Sequence, residues 1–146
     1  MRGCLITLEG GEGAGKSSAL AVLRDGLVAR GISPILTREP GGTRMGEAIR
    51  LLVLDRELGP VAAECELLLM FAARRDHLER SIRPALAAGQ WVVCDRFTDS
   101  TYAYQGAGRG AAMQRIAWLE QWAHGDLQPA RTYLFDLEPA LAARRR

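Results

Sequence analysis

Two rhythms of apolar and polar residues alternate along this chain. Short, nearly continuous apolar runs predict buried strands over 4–9, 35–37, 91–94 and 132–135. Between them, apolar residues recur at helical spacing. Leu20, Leu23, Leu27 and Val28 form one stripe and predict a helix over 16–30, ended by Gly31. Further helices are predicted over 45–54, 60–88 and 112–123, with Pro60 opening the longest and Gly89 closing it. A short helix capped by Asp99 or Ser100 runs through Tyr104, and another starts at Pro139 and runs to Arg146. Residues 38–43, 55–59 and 106–110 carry turn chemistry. Strands alternating with helices predict an α/β domain with a parallel sheet and helices on both faces.

The first strand leads into Gly10-Gly-Glu-Gly-Ala-Gly-Lys-Ser17, a complete G-x-x-x-x-G-K-[ST] phosphate loop followed by a helix. The motif and its flanks predict a P-loop NTPase fold. Its glycines allow the backbone amides to wrap phosphate at the positive end of the helix. Lys16 should reach the β- and γ-phosphates, and the Ser17 hydroxyl should ligate Mg²⁺. A purely structural Gly-rich turn would not need the lysine and the hydroxyl.

Composition narrows the class. The chain has 146 residues, 48% of them hydrophobic and 25% charged, which suits one globular domain with a real core. A net charge of +2 gives no reason to expect nucleic acid as the main partner. Cys4, Cys65 and Cys94 are too widely spaced for a metal-ligand pair and suit a reducing, cytoplasmic compartment. No apolar stretch reads as a membrane span, and the first strand begins too early to leave room for a removable leader.

Charged residues stand where each strand stops: Glu9, then Arg38 and Glu39, then Asp95 and Arg96, then Asp136. In open parallel sheets ligands bind at those carboxyl ends. Singly each is a solvated loop charge; together they fit a phosphate-rich, Mg²⁺-containing site. Asp95 reads as a metal-side carboxylate or as a helix cap. Arg96 offers a fork of donors suited to a phosphoryl group. On the long helix Leu67, Phe71, Arg75 and Leu78 share a face. Phe71 and Arg75 could stack and read a flat base, or be core and surface charge.

Five segments in order resemble bacterial thymidylate kinases. They are the phosphate loop, Thr37-Arg-Glu-Pro-Gly-Gly-Thr43, Leu69-Met-Phe-Ala-Ala-Arg-Arg75, Cys94-Asp-Arg-Phe97 and Ser100-Thr-Tyr-Ala-Tyr-Gln-Gly106, and the likeness extends to Phe135-Asp-Leu-Glu-Pro139. The resemblance implies transfer of the γ-phosphoryl of ATP to dTMP, with Mg²⁺, by a homodimer packed through helices. It implies ATP contacts from Gly10, Gly11, Glu12, Gly13, Ala14, Gly15, Lys16, Ser17 and Ser18, and Mg²⁺ ligands Ser17 and Asp95. Lys16, Glu12, Arg38, Asp95 and Arg96 are the implied catalytic set. On the acceptor side it implies Glu12 at the dTMP sugar, and Arg38 and Arg96 as clamps on its phosphate. It implies Arg50 as a further base- or phosphate-side arginine and Glu39 as an acid that helps position substrate and metal. Phe71 is the implied thymine platform, Arg75 a donor to a thymine carbonyl, and Thr101 and Gln105 readers of the pyrimidine edge.

The phosphate loop has Ala14 where an arginine would add charge, so the family pattern implies arginines from a mobile lid. That lid should follow residue 139, and the chain reads as a single nucleoside-monophosphate-kinase-like domain, 1–146, truncated before or at it. Two other readings stay open: a phosphate-loop nucleotide-binding module, and a kinase for another nucleoside or nucleotide. An acceptor pocket is the feature that separates them. The helices over 45–54 and 60–88 are also apolar on more than one side, which predicts a dimer.

Overall fold

The computed structural model describes residues 2–145. Four strands, β1 (Cys4–Gly10), β2 (Ile35–Arg38), β3 (Trp91–Asp95) and β4 (Arg131–Phe135), pair in parallel in the order β2-β3-β1-β4. Leu8 and Arg38 both lie opposite Asp95, so β2 and β3 finish level while β1 runs on two residues to Gly10. The loops that leave them are thereby gathered at one sheet edge.

The helices are α1 (Lys16–Val28), α2 (Arg44–Leu54), α3 (Ala63–His77), α4 (Arg83–Ala87), α5 (Thr98–Thr101), α6 (Met113–His124) and α7 (Pro139–Ala143). Strand periodicity divides the core. Ile6, Leu8 and Val93 face one way and pack with Leu27, Leu20 and Leu23 of α1. Leu5, Val92 and Cys94 face the other way, against Leu78, Ile82 and Ala85. A further cluster joins α3 to α6 through Leu67, Phe71, Ile116, Leu119 and Ala123.

The long helix differs from expectation. It begins at Ala63, leaving Pro60 outside, and widens into a π-helical turn over Leu78–Ile82 before α4. Pro84 explains the widening: it has no N–H and its ring would clash with the carbonyl four residues back in a regular helix. The short helix begins at Thr98 after Phe97, one turn position before Asp99 or Ser100 could cap it. It then runs on as a π-helical segment, Tyr102–Ala107, through part of the expected loop. At the last helix α7 ends at Ala143, and Arg146 lies outside the described residues.

Helix cover is complete over β1 and β3, whereas β2 leaves Leu36 and Arg38 exposed. Along β4, residues 131–134 are exposed, including Tyr133 and Leu134. Among the described residues, no helix is long and apolar enough to cross a membrane.

Leu78→Ala, at a fully buried position beneath the sheet, should cost about 2–5 kcal/mol. Leu134→Ala, at 72% exposure, should change stability by no more than about 0.5 kcal/mol. Urea denaturation of the two variants measures both, and equal losses would contradict this layering.

Candidate active site

A cleft of about 910 Å³ opens over the level strand ends. Its floor is the phosphate loop. Gly13 and Gly15 take φ of 80° and 96°, which only glycine adopts readily. Gly13 also lies against α7, where a Cβ would come within 2.6 Å of the Ala142 carbonyl oxygen. Glu12, Gly13, Gly15, Lys16, Ser17 and Ser18 line the cleft, while Gly10, Gly11 and Ala14 complete the loop behind them. Lys16 is buried and donates from Nζ to the carbonyls of Gly10 at 2.8 Å and Gly11 at 3.1 Å. Desolvation, with Arg96 nearby, pulls its pKa below that of a free lysine.

The turn after β3 supplies Asp95 and Arg96. Arg96 has φ 68°, a left-handed conformation that costs an ordinary residue about 1–3 kcal/mol. Two contacts hold it: its N–H donates to the Leu8 carbonyl at 2.9 Å, and the next N–H, of Phe97, donates to Glu9 Oε1 at 2.7 Å. Ser100 Oγ donates to the other Glu9 oxygen at 2.5 Å. Burial pushes the Glu9 carboxyl above the usual carboxylate range, against these two donors. The Arg96 guanidinium lies over the Tyr104 ring and donates to its hydroxyl at 3.1 Å, which aims the fork along the cleft wall. Asp95 Oδ1 is buried with no hydrogen-bond partner among the described residues. A hard carboxylate oxygen left open in the cleft that Ser17 also lines fits Mg²⁺.

The opposite wall rests on Arg74. Its side chain is 1% exposed, and Nε donates to Glu39 Oε2 at 2.6 Å. Nη2 donates to Thr101 Oγ1 at 3.0 Å. The guanidinium sits 5.0 Å from the Phe71 ring centre and 5.2 Å from that of Phe97. His77 Nδ1 meets the second Glu39 oxygen at 2.9 Å, while its Nε2 meets Thr37 Oγ1 at 2.8 Å. Burial opposes ionisation of Glu39, but the Arg74 charge and the His77 bond outweigh it and hold the carboxyl below its usual range.

Several expected positions change accordingly. Arg75 is not in the cleft: it lies on the outer side of α3, donates to the Ala123 carbonyl at 2.7 Å and pairs with Glu79. Arg74, one residue earlier and about 100° around the helix, takes its place. Phe71 is core, packed against α6 beneath Arg74, and Met70 lines the cleft instead, with Val53 and Leu54 of α2. Thr101 is fully buried under Arg74, whereas Gln105 reaches the cleft. Glu39 has both oxygens occupied and acts through Arg74. Arg50 lines the cleft and donates to the Pro40 carbonyl at 3.3 Å. Arg38 lies in an adjoining hollow and pairs with Glu47 at 2.8 Å. Of the residues sequence reasoning passed over, Arg74 and Tyr104 carry a signal: each stands three or four residues from a chosen position on the same helical run.

Comparison with known proteins places this geometry. Residues 8–146 match the family model for thymidylate kinase. The thymidylate kinase of Halorhodospira halophila is 53% identical over 145 residues, covering 99% of this chain and 67% of the relative. That of Ectopseudomonas mendocina is 58% identical over 137 residues, covering 94% and 65%. The chain thus spans about two thirds of the length of the curated relatives it matches. A crystal structure of thymidylate kinase from Ehrlichia chaffeensis superposes with a TM-score of 0.86 at 34% identity, over 99% of this chain and 82% of that one.

Glu39→Gln removes the charge facing a fully buried guanidinium and should destabilise by about 3–5 kcal/mol. Because the Glu39 carboxyl is depressed in the fold, its contribution is full above its usual 4.5 and is lost as pH falls through the folded value. Urea titrations below pH 4.5 should therefore show a shallower loss of stability in the variant than in the parent. Parallel acid limbs would remove Glu39 from that role.

Proposed function

The chain belongs to the thymidylate kinase family, and we propose that it binds ATP at the phosphate loop and dTMP in the adjoining pocket, for transfer of the γ-phosphoryl of ATP to dTMP. One observation carries the acceptor assignment. Arg74 Nη1 and Gln105 Oε1 are both buried and both without a hydrogen-bond partner among the described residues. One is a donor and the other an acceptor, on neighbouring walls of the same cleft. Thymine presents the complement, a carbonyl at C4 beside an N–H at N3. Cytosine presents the reverse. A bare nucleotide-binding module has no use for such a pair, and a buried polar group left unmatched by the wrong base is costly.

Chemistry here is mainly positioning and charge balance. Lys16 faces the donor phosphates and exchanges its two loop carbonyls for their oxygens. Arg96, held by Tyr104 and Glu9, faces the acceptor phosphate, with Arg38 and Arg50 flanking it. Glu12 accepts from the sugar hydroxyl of dTMP. Met70, Val53 and Leu54 bound the base apolarly, and Arg74, fixed by Glu39, Thr101 and two aromatic rings, meets its edge. Asp95 and Ser17 would hold Mg²⁺, which when bound neutralises charge on the β- and γ-phosphates.

A second copy of the chain is the proposed partner. Leu51 and Leu54 of α2, Leu68 of α3, and the stacked Trp118 and Trp122 of α6 are exposed. Leu68 and Trp122, with Met45 of α2, border a groove of about 340 Å³ floored by Phe71 and Leu119. This apolar area is contiguous across three helices, and a two-fold copy covers it symmetrically.

Ligand-induced stabilisation tests the substrate assignment. At about 100 times its dissociation constant, dTMP should stabilise by about 2.7 kcal/mol, with dCMP, dGMP and AMP giving far less at that concentration. Lys16→Ala should abolish the shift given by ATP and leave the shift given by dTMP. Loss of both would place Lys16 in the fold rather than at the donor phosphates. For assembly, sedimentation at micromolar concentration should give a dimer, and Leu68→Glu with Trp122→Glu a monomer. A parent that sediments only as a monomer contradicts the two-fold arrangement.

A further inference from the structure

The acceptor atom of Gln105 is set by a residue outside the cleft. Gln105 Nε2 donates to Glu66 Oε1 at 2.8 Å. The other Glu66 oxygen is held by Arg109, whose second guanidinium nitrogen donates to the Val61 carbonyl. Glu66 is therefore fixed at both oxygens and tied to the start of α3. A carboxylate has only acceptors to offer. An amide placed against it must present its NH₂, and because the amide is planar Oε1 then faces away. Turning the amide over would set two acceptors 2.8 Å apart and leave the Glu66 oxygen unmatched.

We propose that Glu66 is a specificity-determining residue: it locks the Gln105 amide with its oxygen toward the base, so the pocket takes pyrimidines that carry hydrogen on N3. This rests on the thymine reading of the pocket and deepens it. Without the lock, Gln105 is an ambivalent side chain. It can accept from the N3–H of thymine or donate to the bare N3 of cytosine with equal ease. Arg74 cannot take over the task, since its guanidinium is fixed on Glu39 and Thr101 and offers a donor only. Discrimination at C4 then belongs to Arg74, and discrimination at N3 to Glu66 through Gln105.

Titration calorimetry with dTMP and dCMP tests the assignment, read as the ratio of their dissociation constants. In Glu66→Gln the amide oxygen stays on Arg109, which offers donors only, so the amide NH₂ faces Gln105 and the lock is turned over. The ratio should fall by about tenfold or more, through tighter dCMP binding and weaker dTMP binding together. The exchange variant Glu66→Gln with Gln105→Glu reverses donor and acceptor in the same bond. It again presents an oxygen to the base, and it should restore the ratio. A merely structural role for Glu66 predicts equal weakening of both ligands and no recovery in the exchange variant, and either result overturns the proposal. A parent protein that binds dTMP and dCMP alike would instead remove the thymine reading on which it rests.

Discussion

The ion pair between Glu39 and Arg74 is the contact on which the acceptor side depends. It joins the end of β2 to the last turn of α3 inside the protein, with both side chains almost fully buried. Such a pair contributes little to net stability compared with apolar packing, since both ions lose water. Its value is geometric. A guanidinium has five N–H donors in one plane, and this one has its plane set by two aromatic rings and its direction by Glu39 and Thr101. A single nitrogen is left over, in a known place. His77 completes the arrangement by taking the other Glu39 oxygen, so the carboxylate cannot rotate toward the cleft.

The donor side is organised differently. The phosphate loop is built from backbone, and its geometry comes from glycines at positive φ and from the helix behind it. That is why it is legible in sequence: motif, strand and helix adjoin in the chain. The acceptor pocket is assembled from β2, α2, α3 and the segment after β3, and its parts meet only in the fold. Periodicity puts Leu67, Phe71 and Leu78 on the buried side of the long helix, but adjacent arginines on a helix differ by about 100° in direction. Spacing from Phe71 favours Arg75, since i and i+4 are neighbours. An i,i+3 pair is equally close, and the end of β2 selects Arg74.

Local irregularity is the other part that sequence does not reveal. Both π-helical segments lie next to the site or beneath it, one ahead of Pro84 and one carrying Gln105. Each adds a fraction of a turn and rotates the residues after it. The apolar pattern records which residues are buried but not that small rotation. Likewise, the left-handed turn at Arg96 depends on Glu9, far away in sequence, and no turn residue announces it. The apolar surface on α2 and α3 is legible as an excess, because one helix cannot direct apolar residues to every side and bury them all against one sheet, whereas the share of α6 emerges only in the fold.

Lys16 has a consequence beyond phosphate binding. It is the sole lysine in the chain; every other basic side chain is arginine or histidine. Guanidinium groups stay protonated and inert toward acylating reagents, whereas a lysine with a depressed pKa carries a larger share of nucleophilic free amine. Within this chain the phosphate loop is thus the only place where a side-chain amine can be acylated. Amine-directed labelling, ordinarily a scattered surface reaction, is confined among the side chains here to Lys16, so acylation at that position, told apart from the α-amine, reports whether the loop is occupied.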